Sequence, residues 1–146
     1  MWNELHDQSQ IDNFMNYIWG FHDTVIKEMK YVSGAYLNEN NGMHVVNDKR
    51  VLAIIFQGNL RVFSAIEVEF IGIKYLNLVP VEEAHTCEIL GATMLIKDNY
   101  IYWCDDDYLT EADIEEYLGT LICASAVRWR PVDEYVGSDE IYKAAK

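Results

Sequence analysis

The stretch from Leu60 to Val79 constrains this chain more than any other. Its apolar residues first fall on even positions, at Leu60, Val62, Ile66, Val68 and Phe70, while Glu67 and Glu69 take odd ones. Beyond Gly72 the parity reverses, and Ile73, Tyr75 and Val79 carry the pattern on. Side chains alternate across a strand with period two, so this is strand with one apolar face. One inserted residue swaps the faces, and glycine tolerates the kink. The reversal therefore predicts a β-bulge at Gly72, or two short strands meeting in a bend there.

Other segments extend the sheet. Val51-Leu52-Ala53-Ile54-Ile55-Phe56 is apolar on both parities, as a strand covered on both faces must be, and Asn47-Asp48 and Gly58-Asn59 bracket it. From Val25 to Leu37 the odd positions Val25, Met29, Tyr31, Ala35 and Leu37 are apolar, before the turn cluster Asn38–Gly42. Residues 87–97 and 100–104 read as a hairpin around Asp98-Asn99, which sets Ile96 opposite Ile101 and Met94 opposite Trp103. Leu121 to Arg130 is a last strand, stopped by Pro131.

Two helices are expected. Ile11, Phe14, Met15, Ile18 and Trp19 recur at helical spacing over residues 10–19, with Ser9 and Asp12 at capping-box spacing and Gly20 as the terminating glycine. Thr110 and Asp113 repeat the capping spacing at the start of a short helix over 110–118, ended by Gly119. Residues 133–146 are polar and read as frayed or loosely helical. Sequential strands joined by short turns, with a helix near each end, define the fold class α+β with β dominant. The expectation is a curved antiparallel sheet of about six to seven strands in a single domain, residues 1–146.

Composition limits the function. The chain has 24 acids and 11 bases, a net charge of -13, and the excess is greater in the second half. Such a field repels nucleic acid and anionic membrane and attracts basic proteins. It also serves plain solubility. The N-terminal residues Met1–Asp7 have no basic and apolar leader pattern, and the longest apolar run, Val51–Phe56, is too short to span a bilayer. Cys87, Cys104 and Cys123 are odd in number and lack C-x-x-C spacing. They read as free, buried thiols of a reducing, cytoplasmic compartment.

The chemistry-bearing motifs are sparse, and no catalytic, metal or cofactor residue is assigned. His22-Asp23 forms a dyad of the kind metal hydrolases use, but His6, His44 and His85 are isolated, and the pair also suits a turn whose side chains bond to backbone. Asp105-Asp106-Asp107 suggests calcium, yet consecutive side chains of an extended segment point to opposite sides. Glu67 and Glu69, about 7 Å apart on one strand face, match the spacing of paired glycosidase carboxylates and equally an exposed strand face. Arg128 and Arg130 are expected to pair with acids across the sheet or lie over aromatic rings.

The sharpest feature is an acidic window. Asp105, Asp106, Asp107, Glu111, Asp113, Glu115 and Glu116 occur with no base among them, and Tyr102, Tyr108 and Tyr117 are interleaved. Acids with tyrosines make a recognition surface for a basic protein, Tyr108 included, because charge steers encounter and aromatic contacts anchor it. The alternative is a small-molecule binder or enzyme, with a pocket lined by Tyr75, Trp103 and Trp129 on the curved sheet. A homo-oligomer packed through aromatic strands is compatible with either.

The residues from Gly20 through Phe21-His22-Asp23-Thr24-Val25-Ile26-Lys27-Glu28-Met29-Lys30-Tyr31-Val32-Ser33 to Gly34 resemble the opening of small uncharacterised bacterial proteins. Some of those are similar to immunity proteins of polymorphic toxin systems, acidic cytosolic domains that bind and block a toxin. The resemblance covers about a tenth of the chain and implies a bacterial, non-enzymatic binding protein. It carries over no functional residue.

Overall fold

The computed structural model describes residues 1–142. Nine strands and two helices follow in the order β1 (Asn3–Leu5), α1 (Gln8–Tyr17), β2 (Thr24–Val32), β3 (Tyr36–Leu37), β4 (Met43–His44), β5 (Val51–Leu60), β6 (Phe63–Asn77), β7 (Thr93–Lys97), β8 (Tyr100–Cys104), α2 (Glu111–Ile114) and β9 (Leu121–Pro131). The main sheet runs β2-β5-β6-β9-β8-β7, antiparallel throughout and open. β1 pairs with β9 beyond the end of β8, so both short strands share one edge of β9. β3 and β4 form a separate hairpin around the expected Asn38–Gly42 turn. The fold is α+β and strand-dominated, as the patterning indicates. Among the described residues no helix is long and apolar enough to cross a membrane.

β6 is one strand rather than two. Its register against β9 shifts between Ile73 and Tyr75, and Gly72 adopts φ +69°. A Cβ at Gly72 would lie 2.9 Å from Ser125 Oγ, which explains why only glycine suits the position. The expected hairpin register is the observed one, with Ile96 opposite Ile101 and Met94 opposite Trp103. Asp98 and Asn99 both take positive φ, the geometry of a two-residue turn that matches strand twist. Strand β7 begins only at Thr93, however, and Cys87 lies exposed in the preceding loop rather than in a buried strand.

Other boundaries move for identifiable reasons. Asp7, not Ser9, caps α1, accepting the Gln10 N–H at 2.8 Å. β5 runs through Gly58-Asn59 in a bulge and turns at Arg61-Val62, so Leu60 belongs to β5 and not to the next strand. The strand from Val25 stops at Val32, where Gly34 turns at φ +99°. The helix expected over 110–118 is a single turn, Glu111–Ile114, opened by the Thr110–Asp113 capping box. Residues 133–142 form turns, with Tyr135 and Tyr142 packed near Val132, and the remaining four residues of the frayed or helical tail lie outside the described residues.

One face of the sheet carries the main core. Leu52, Ile54 and Phe56 of β5 meet Ile66, Val68 and Phe70 of β6, and Ile11 and Phe14 of α1 join the same cluster with Ile18, the residue that caps the helix C-terminus. Phe21, Phe56 and Trp103 pack with ring centroids 4.6–5.7 Å apart, within the range where aromatic pairs attract. The opposite face is covered in two places. Ile55, Ala65 and Val132 cluster under the C-terminal segment, and Cys104, Ile114 and Leu121 cluster under α2.

Candidate functional site

The acidic window divides into carboxylates that the fold uses and carboxylates that it leaves in solvent. Asp105 is half-buried and accepts the Tyr117 hydroxyl and, at 3.1 Å, the Thr120 N–H. Asp113 accepts both the Thr110 N–H and hydroxyl, and these bonds hold its carboxyl below the usual range. Glu115 pairs with Lys97 at 2.6 Å, which lowers the Glu115 pKa and raises that of Lys97. Asp106, Asp107, Glu111 and Glu116 are exposed and form no ion pair among the described residues.

The tyrosines divide in the same way. Tyr102 and Tyr117 pack against the Cys104–Ile114–Leu121 cluster. Burial pushes the Tyr102 phenol up to about 12, and burial followed by the Asp105 carboxylate raises that of Tyr117. Tyr108 alone of the three points outward and is 92% exposed.

Asp107 and Tyr108 open onto a cleft of about 820 Å³, whose other wall is α1 and the turn that follows it. Asp12 and Asn16 line that wall, together with Trp19 and His22, and Leu90–Met94 forms the floor. The turn is unusual. Trp19, Gly20 and Phe21 are successive residues at φ 61°, 60° and 65°, followed by Asp23 at 59°. A bulky residue in this region costs roughly 1–2 kcal/mol, and such strain persists only where surroundings impose it. Here Ala92 N–H donates to the Gly20 carbonyl at 2.9 Å, Asp23 N–H to Ile89 at 2.8 Å, and Thr24 Oγ1 to Phe21 at 2.7 Å. Phe21 is fully buried among the core aromatics, which anchors the turn from inside.

His22 Nδ1 lies 2.7 Å from the Leu90 carbonyl, which only accepts, so Nδ1 carries a proton. Its Nε2 faces Asp23 Oδ2 at 3.4 Å. The His22-Asp23 dyad thus fastens the turn to the cleft floor. Among the described residues no three His, Cys, Asp or Glu side chains converge to hold a metal ion. The three consecutive aspartates are directed to different places: Asp105 to Tyr117, Asp106 to the Asp107 N–H at 2.9 Å, and Asp107 against Gly91.

The other motifs belong to the framework. Glu67 stands directly opposite Arg130, and Glu69 opposite Arg128, in the β6–β9 ladder. Arg130 Nε donates to Glu67 at 2.8 Å and Arg128 Nε to Glu69 at 2.9 Å. Both guanidinium groups lie over the Trp2 ring, 4.4 Å and 4.3 Å from its centre. Both arginine expectations therefore hold together, and neither glutamate is free for acid–base work. Trp103 and Trp129 are buried in the core, while Tyr75 is half exposed on β6. These three aromatics do not form the cleft, which sequence reasoning missed. Its sequence traces were separate ones, the His22-Asp23 turn and the Asp107-Tyr108 end of the acidic window, and nothing local to either brings them together.

Compared with protein-family models, curated proteins and solved structures, the chain matches none. The fold and cleft define it as an open antiparallel α+β sheet bearing an acidic face with an outward tyrosine.

Proposed function

We propose that this protein is a non-enzymatic, cytoplasmic binding module that engages a basic protein partner, in the manner of the immunity proteins that its Gly20–Gly34 stretch resembles. The supporting observation is the division of the acidic window. Structural needs account for Asp105, Asp113 and Glu115, whose partners lie within the chain. They do not account for Asp107, Glu111 and Glu116, which are exposed and form no ion pair among the described residues, nor for the charge of Asp106, whose carboxylate bonds only the neighbouring Asp107 N–H; Asp106 and Asp107 immediately precede the outward Tyr108. A cluster of unpaired carboxylates around an exposed aromatic steers a cationic partner and then anchors it. The apolar side chains Tyr36, Leu37 and Met43, exposed on the β3–β4 hairpin, are the surface through which copies would associate, and light scattering reads whether they do.

The test is affinity capture from the native host with the wild-type chain and a variant carrying Asp106→Asn, Asp107→Asn, Glu111→Gln and Glu116→Gln. The expected result is a basic protein, retained by wild type, released by salt and not retained by the variant. Capture that is indifferent to the four substitutions, or capture of no basic protein, overturns the reading.

A further inference from the structure

We infer that the cleft between α1 and the Leu90–Met94 segment seats a cationic side chain, arginine or lysine, of a protein partner. The inference rests on the binding reading above and names its anchor point. Three observations carry it. The cleft, at about 820 Å³, is larger than one side chain needs and open enough to admit a segment of chain. Among the described residues its lining includes the carboxylates of Asp12 and Asp107 and no lysine or arginine. Its rim carries two large aromatics, Trp19 at 50% exposure and Tyr108 at 92%. Carboxylates with accessible aromatic faces are the surroundings that hold a guanidinium or ammonium group.

The backbone at those two aromatics strengthens the case. Trp19 and Tyr108 both take positive φ, at 61° and 58°, where glycine or asparagine fits without strain and a bulky residue does not. Tyr108 recovers almost none of that cost by burial, being 92% exposed, and Trp19, 50% exposed, leaves half of its ring in solvent. Folding therefore gains little from an aromatic at position 108, whereas recognition does, and the exposed half of the Trp19 ring is available to the same ligand. Glycine substitutions separate the two roles: they relieve the backbone and remove only the ring.

The test is nuclear magnetic resonance titration of the full chain with a capped Gly-Ser heptapeptide bearing one central arginine. The same peptide with citrulline, isosteric and uncharged, is the control, and free arginine amide is a second probe. The expected result is saturable shifts at the Trp19 indole and the Gly91 and Tyr108 amides with the arginine peptide and not with citrulline. Trp19→Gly and Tyr108→Gly should each weaken that binding by about tenfold, and Tyr108→Gly should leave thermal stability unchanged or higher. Equal shifts with citrulline, or no saturable shift at the cleft, overturn the inference. Tighter binding of free arginine amide than of the peptide overturns the assignment to a protein segment. Shifts confined to Glu111–Glu116 also sink the anchor, yet leave the acidic-face reading intact. That reading fails separately, if the host's basic protein binds the Glu111→Gln, Glu116→Gln variant as it binds wild type.

Discussion

Tyr117 donates its hydroxyl to the Asp105 carboxylate, and this pair ties the end of β8 to the segment after α2. Asp105 also holds the Thr120 N–H, and Thr120 in turn receives the Val79 N–H at 3.0 Å. One acid of the window therefore organises three segments of chain. Asp105→Ala is expected to destabilise the protein by about 2 kcal/mol, because charged acceptors of buried donors are costly to remove. Gly119→Ala should act on the same pair, since its Cβ would fall 2.5 Å from the Tyr117 hydroxyl and 2.7 Å from Asp105 Oδ1. Urea denaturation measures both, with a shifted midpoint and unchanged slope expected.

The Glu67–Arg130 pair is the most buried charge pair, with Glu67 only 8% exposed. Glu67→Ala leaves the guanidinium without its carboxylate. The expected cost is on the order of 2 kcal/mol, less than for a fully buried pair because Arg130 keeps partial solvent access. Trp2→Ala removes the ring shared by both arginines and should cost about 1–2 kcal/mol. A double-mutant cycle between Trp2 and Glu67 should show coupling, because both hold the same guanidinium.

Two glycines near the left-handed turn should respond very unequally to the same change. Gly58, at φ +139°, packs so closely that a Cβ would overlap the Asp23 carbonyl oxygen and lie 2.8 Å from Thr24 Cα. Gly58→Ala is expected to cost about 3 kcal/mol or more, as backbone cannot move aside. Gly20, at φ +60°, has open space where the Cβ would stand. Gly20→Ala should cost only about 1 kcal/mol, the penalty of the backbone conformation alone. Comparing the two denaturation midpoints checks the geometry of the turn.

The thiols give a pH-dependent readout. Burial, followed by the Asp105 and Asp106 carboxylates, pushes Cys104 up to about 12, and burial also raises Cys123. Both are neutral in the fold, while an unfolded thiol ionises near 9. Their contribution is thus complete below that value; that of Cys104 is lost as pH rises from about 9 toward 12, and that of Cys123 as pH rises through its own raised value. Lys97 adds to the same trend, since its raised pKa contributes below its unfolded value and is lost above the folded one. Asp113 and Glu115, both lowered, act at the other end: their contribution is present above their unfolded values and is lost as pH falls through the folded ones. A thiol reagent at neutral pH should modify Cys87 rapidly and the other two only on unfolding.

Much of the sheet was legible because its signals are local. The Asp98-Asn99 turn sets a hairpin register by itself, and the parity reversal at Gly72 marks a bulge whichever strand lies beside it. The arginine–glutamate ladder was legible in kind, because two bases and two acids at period two seek each other across a sheet. What escaped is imposed from a distance. β1 is three residues long and owes its place to the edge of β9 that β8 leaves open. The left-handed turn at Trp19–Phe21 runs against the preference of its own residues and is held by Ile89 and Ala92, about seventy residues away. The acidic window was visible as a run of charge, but its division was not. The capping spacing marked Asp113 as engaged, but only the fold shows that Asp105 and Glu115 are also occupied within the chain.

That division also decides which substitutions test the function. The most direct measurement is the affinity of the host's basic partner for two double variants of equal charge change, each paired with its melting temperature. Asp107→Asn with Glu116→Gln removes carboxylates that bond nothing among the described residues, and Asp113→Asn with Glu115→Gln removes engaged ones. The first pair should weaken binding by about tenfold and leave the melting temperature unchanged, while the second should lower the melting temperature and hold affinity within about twofold. Equal weakening by both pairs would mean that net charge alone attracts the partner, and would contradict a dedicated acidic face.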